Sequence, residues 1–130
     1  MNFKFIYKVC TKSELKEAKD KQQFNGSKKD LEDGFIHFSG EEQVEATLKK
    51  YYPNQKELIL LKVETLRLDH LIWEQASDGN MFPHLYSALD LSNVIDEFEL
   101  TLSENGLHKL PANFEGGHPF GKLQKSSPVS

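Results

Sequence analysis

Residues 57–64, "ELILLKVE", carry five large apolar side chains interrupted only by Lys62. A strand with one wet face alternates apolar and polar residues, whereas a strand covered on both faces reads as a near-continuous apolar run. This stretch is therefore the expected central strand, and the rest of the chain is read as what must cover it. Just upstream, "SGEEQVEATLKKYY" (39–52) places Val44, Leu48, Tyr51 and Tyr52 at helical spacing. Glutamates fill the first turn and lysines the last, the order that the helix macrodipole favours. Ser39 and Glu42 are spaced as a capping box, and Pro53 with Asn54 stops the helix.

Further out, "FIHFS" (35–39) reads as a second strand and "FKFIYKV" (3–9) as a first one. In the first, Phe3, Phe5, Tyr7 and Val9 share one face and Lys4, Ile6 and Lys8 the other, the period of a half-buried strand. Thr11 and Glu14 form another capping box, opening a short helix whose apolar positions are Leu15 and Ala18. "NGSKKDLEDG" (25–34) is expected to be a loop. Downstream, "LIWEQ" (71–75) and "MFPHLY" (81–86) are strand-like pieces joined by "ASDGN", whose Asp78-Gly79 predicts a tight turn. "NVIDEFEL" (93–100) alternates as a late strand. The expected fold is a single α+β domain over residues 1–102, with a split or curved, mostly antiparallel sheet of about five or six strands and two helices. Residues 103–130, with Pro111, Gly116, Gly117, Pro119 and Gly121 and few apolar anchors, are expected to be a tail packed on the domain or extending from it.

Composition narrows the function classes. A net charge of −4 argues against nucleic acid as a partner, because phosphate neutralisation wants a basic face. Arg67 is the sole arginine, so a phosphate site would rely on lysine or backbone N–H groups in place of an arginine fork. "MNFKFIYKV" lacks the apolar region of a signal peptide and no apolar run is long enough to span a bilayer. The expected location is cytoplasmic, with no membrane partner. Cys10 is the one cysteine, which excludes an intrachain disulfide, and it reads as a small buried residue. The histidines show no local metal-ligand spacing, so no metal is expected, and His108 and His118 are expected to be solvated. There is no Walker A loop, G-x-G-x-x-G or G-x-S-x-G.

Two motifs carry polar chemistry inside apolar surroundings. In "DGFIHFSG" (33–40), alternation sends Ile36 and Phe38 one way and Phe35, His37 and Ser39 the other. If the following helix covers Ile36 and Phe38, His37 and Ser39 emerge together on the open side, where they can contact an anion or nucleotide. In "FPHLY", Pro83 enforces an extended or turned path, so Phe82, His84 and Tyr86 share a face. An imidazole between two rings is a suitable wall for a planar ligand. Trp73 and Glu74 in "IWEQ" add a ring and a carboxylate able to orient a histidine or act as a base.

In order, "DGFIHFS", an amphipathic helix, "LILLKVE", "WE" and "FPHLY" resemble a family of small bacterial domains of unknown function, family 952, over roughly residues 3–100. The resemblance implies an ADP-ribosyltransferase-like split sheet, shared with enzymes that use NAD, and carries His37 and Ser39 over as pocket positions. The first strand departs from those enzymes: it offers Tyr7 and Lys8 where they place an Arg or His. Their catalytic glutamate has no assured counterpart, Glu97 and Glu99 matching by position and Glu74 by motif. Two readings stay open. One is an enzyme of the ADP-ribosyl-transfer or NAD-cleaving type, with His37, Glu74 and His84 as catalytic residues. Ser39, Trp73, Tyr86, Phe82 and Tyr7 would then contact a small-molecule ligand such as NAD. The other is a non-catalytic module that binds a small molecule or peptide on the same scaffold.

Overall fold

Leu58, Leu60, Leu61 and Val63 are wholly buried, Ile59 nearly so, and they divide between two separate cores. The computed structural model, which describes residues 4–111 and Phe114, explains the division. In chain order, β1 (Phe5–Thr11) leads into α1 (Lys12–Lys21), β2 (Gln23–Phe24), α2 (Lys28–Asp33) and β3 (Ile36–His37). A 3-10 turn (Glu41–Gln43) opens α3 (Val44–Tyr51), followed by β4 (Leu58–Glu64), β5 (Leu71–Gln75), β6 (Met81–Leu85) and β7 (Leu89–Asp90). A second 3-10 turn (Leu91–Asn93) precedes β8 (Val94–Leu102) and β9 (His108–Lys109). The fold is α+β, and every strand pairing among the described residues is antiparallel.

The strands form three sheets, ordered β1-β4-β8-β9, β2-β7 and β3-β6-β5. β4 is central in the largest, with β1 on one side and β8 on the other. Its odd-numbered residues Ile59, Leu61 and Val63 face a core closed by Leu15 and Ala18 of α1, Phe24, Ile36, Phe38, Leu85 and Leu89. Leu58 and Leu60 face the other core, with Val44 and Leu48 of α3, Tyr7, Val9, Phe98, Leu100 and Phe114. Covering on both faces is what removed the alternation from this segment.

The hairpin of β5 and β6 and the capping box of Thr11 with Glu14 form as expected. Several details differ. The segment read as a loop contains a third helix, α2, capped by its own box in which Ser27 and Asp30 exchange side-chain and backbone bonds. The face of Ile36 and Phe38 is covered by α1, whereas α3 packs on the opposite core. The cap of the 39–52 segment is Gly40, whose N–H donates to Gln43 Oε1 at 2.8 Å, so Ser39 is not the N-cap. β1 is buried on both faces from Ile6 to Cys10, Lys8 included. Beyond Leu102 a turn brings His108 and Lys109 back to pair with Leu102 and Thr101. His108 is half-buried and its Nε2 lies 2.6 Å from the Gln55 carbonyl oxygen, so it is not solvated. Phe3, His118 and the rest of the expected tail beyond Pro111, apart from Phe114, lie outside the described residues.

Because β4 supplies both cores, truncating either face should be costly. Leu60→Ala and Leu61→Ala are each expected to lose about 2–5 kcal/mol of unfolding free energy, measured by urea denaturation. A loss well under this for either variant would mean that its core is not packed as described.

Candidate functional site

β3 and β6 run antiparallel with Ile36 opposite Leu85 and His37 opposite His84. Residues directly opposite point to the same side of the sheet. Ile36 and Leu85 therefore enter the core together, and the two imidazoles are forced together on the other face. Their ring centroids are 5.4 Å apart, edge to face. Phe35 joins them, stacked on His84 at 4.1 Å and tilted against His37 at 4.6 Å.

Each histidine has its own carboxylate. His37 Nδ1 lies 2.6 Å from Asp30 Oδ1, and the His37 backbone N–H donates to the same oxygen at 3.2 Å. The other Asp30 oxygen accepts from Lys8 Nζ at 2.8 Å and from the Ser27 N–H at 2.8 Å. Asp30 and Lys8 are almost wholly buried, at 2 % and 4 % exposure. Burial pushes the Asp30 carboxyl up, but the His37 ring, the Lys8 ammonium and the Ser27 N–H outweigh it and hold it well below the usual carboxylate range. The second nitrogen of His37, Nε2, lies 3.0 Å from Asp33 Oδ2 at the end of α2.

His84 is held differently. Its Nδ1 lies 2.7 Å from Glu74 Oε1, and the Tyr86 hydroxyl donates to the same oxygen at 2.7 Å. These two bonds, Tyr86 first, lower the Glu74 carboxyl, and the Tyr86 phenol is raised in return. With Nδ1–H directed at Glu74, the neutral ring keeps Nε2 as an acceptor.

A cleft of about 670 Å³ opens beside this cluster. It runs along the edge of β1 that faces away from β4, between α2, the end of α3 and the β5–β6 turn. Tyr7, Ser39, His37, Phe82 and His84 line it, and so do Lys8, Asp30 and Asp33. Ser39 Oγ is 2.9 Å from Thr47 Oγ1. Burial, and then the charge of Asp30, push the Tyr52 phenol in the wall up to about 12, so it stays protonated. Trp73 is a correction. It stands opposite Pro83 on the core side of β5 and packs against the α1 core, because neighbouring strand residues face opposite ways and Glu74 takes the histidine side. Glu74 and Tyr86 support His84 from outside the cleft wall.

The signal for Asp30 was present in the sequence: Ser27-x-x-Asp30 with Gly34 beyond is a short capped helix. Nothing local marks Lys8 as buried. Cys10 lies in the core, and burial raises its thiol to about 12, which removes it as a nucleophile near neutral pH. Among the described residues no group of three or more His, Cys, Asp or Glu is arranged to hold a metal ion. Nor is any described helix long and apolar enough to cross a membrane.

The family described as "Protein of unknown function (DUF952)" matches residues 9–97, and the chain belongs to it. The crystal structure of protein CC0527 from Caulobacter crescentus is 42% identical, with a TM-score of 0.78, over 82% of this chain and 94% of that one. A crystal structure of a double mutant of that protein is 41% identical with the same TM-score and coverage. Its solution NMR structure is 42% identical with a TM-score of 0.74, over 82% of this chain and 92% of that one. No curated protein matches the chain.

Asp30 is expected to be the costliest polar residue to alter. Its lowered folded value means that its contribution is complete above the unfolded value of about 3.9 and is lost as pH falls through the folded one. Asp30→Asn strands the Lys8 charge and should remove about 3–5 kcal/mol at pH 7. Denaturation from pH 7 to 2 should show wild type losing stability on acidification and the variant losing less. Parallel curves for the two proteins would show that the buried pair does not set the acid limb.

Proposed function

Proceeding from membership of this family, we propose that the cleft binds a small planar ligand of the nucleotide class, NAD or a relative, on an ADP-ribosyltransferase-like scaffold. The observation that carries the reading is the pair of imidazoles, 5.4 Å apart, on the wall of a cleft of about 670 Å³. That size suits a ligand of this kind. Phe82, His84 and the tyrosines of the wall offer flat surfaces, Ser39 and Thr47 offer hydroxyls, and Lys28 and Lys29 stand where a phosphate could meet them.

The edge of β1 adds a recognition element. Tyr7 exchanges both backbone bonds with Ser39, N–H to O at 2.8 Å in each direction. By antiparallel alternation Val9 turns its own N–H and C=O to the same side, away from β4. A donor and an acceptor so spaced suit a carboxamide or the edge of a base.

Binding without turnover is the primary reading. Cleavage of the nicotinamide–ribose bond develops positive charge on the ribose, which wants a carboxylate close by. Glu74 stands behind His84. The carboxylates in the cleft wall are engaged, Glu14 by the Thr11 N–H, Asp30 by Lys8 and His37, and Asp33 by His37 and Lys29. One observation favours a catalytic reading: Glu74 orients His84 through Nδ1 and leaves Nε2 as a base for an attacking water.

Calorimetric titration with NAD and AMP tests the binding reading, and nicotinamide release tests the catalytic one. Binding is expected below about 1 mM and should weaken roughly tenfold in Phe82→Ala, with no nicotinamide released. Release that disappears in His84→Ala would establish the catalytic reading. No binding of either nucleotide at millimolar concentration would remove both.

A further inference from the structure

The oxygen that closes the outer side of His37 belongs to the protein itself. Asp33 Oδ2 lies 3.0 Å from His37 Nε2 and 3.3 Å from Lys29 Nζ, so two nitrogens converge on one oxygen position. With Asp30 on Nδ1, both ring nitrogens of His37 face carboxylate oxygens. The two carboxylates are not equivalent. Asp30 is buried and accepts from Lys8, Ser27 and His37. Asp33 is about a third exposed and, among the described residues, is met only by His37 and Lys29. It is also the last residue of α2, the end at which the macrodipole disfavours negative charge. Of the two carboxylates on His37, Asp33 is thus the removable one.

We infer that the place of Asp33 Oδ2 is an anion subsite, and that a phosphate group on the ligand displaces the Asp33 carboxylate from His37 Nε2 and Lys29 Nζ. The inference deepens the nucleotide reading and rests on it for the remainder of the ligand. Charge selects phosphate over a carboxylate from solution. A free monoanion gains nothing over Asp33, which carries the same charge and is held in place by the chain, equivalent to a local concentration in the millimolar range or above. A phosphate brings about −1.5 to −2 charges and more acceptor oxygens. It can therefore engage His37 and Lys29 and still reach Lys28, which stands beside them in the cleft wall.

The test follows the His37 ring signals by NMR in the full chain during titration with inorganic phosphate, wild type against Asp33→Asn. Acetate is the carboxylate arm. The expected result is that phosphate moves the His37 signals in both proteins, with half-saturation roughly fivefold lower in the variant, and that acetate acts more weakly. Lys29→Ala in the Asp33→Asn background should raise the half-saturation again. Equal half-saturation in the two proteins, or His37 signals unmoved by phosphate in Asp33→Asn, overturns the subsite. Adenosine and AMP on the same samples separate the two claims. Cleft aromatic signals moved by adenosine, with His37 indifferent to phosphate, would leave the nucleotide reading standing without this subsite. A phosphate response as expected, with no effect of adenosine, would support the subsite and remove the nucleoside part of that reading.

Discussion

A carboxylate with 2 % exposure has lost its water, and Asp30 stays ionised there only because donors from three segments converge on it. Lys8 comes from β1, the Ser27 N–H from the start of α2, and the His37 ring and N–H from β3. Desolvating a lysine and a carboxylate together is unfavourable unless their remaining bonding capacity is met. Here both oxygens of Asp30 are filled. The same bonds fix where α2 sits, and with it the wall that carries Lys28, Lys29 and Asp33.

From this follows a difference between two side chains that the pairing of β3 and β6 makes neighbours. His37 is enclosed by two carboxylates, and His84 has one, shared with a phenol. Groups of one type placed in unlike surroundings divide into donor and acceptor roles. His37 has a carboxylate oxygen beside each ring nitrogen, and His84 has one beside Nδ1. Phe35 is stacked on His84 and tilted against His37, so one apolar ring touches both imidazoles.

The legibility of each part in the sequence follows the range of the forces that shape it. β4 was plain because covering on both faces leaves a pattern within eight residues, and "FIHFS" and "FPHLY" gave the orientation of their histidines through strand alternation alone. That the two strands pair, with those histidines opposite, depends on long-range register that neither segment contains. α2 was hidden because "KKDLED" has no apolar stripe, and its one local sign is the Ser27–Asp30 spacing. Lys8 sat on a face presumed wet, since the carboxylate that neutralises it is distant along the chain. Ser39 fitted the spacing of a cap, yet Gly40 with Gln43 satisfied the same turn one residue later and released Ser39 to Thr47. Trp73 was grouped with Glu74 as neighbours in sequence, although alternation already required them to part.

The cleft itself is a consequence of where pairing stops. Tyr7 and Ser39 make one two-bond bridge between the edge of the four-stranded sheet and the segment just after β3, and among the described residues no further rung forms. β3 instead turns to β6 through Ile36 and His37, and Phe38 N–H reaches the Pro83 carbonyl at 3.0 Å. Were β3 to continue along β1 in the register of that bridge, Phe38 would stand opposite Lys8 and His37 opposite Val9, and the buried Lys8 would face no carboxylate on that strand. The carboxylate of Asp30, carried on α2, instead meets both Lys8 and His37 beside the edge of β1. The charge pair and the gap therefore go together: a lysine buried on the edge strand needs an acid, and the acid needs room.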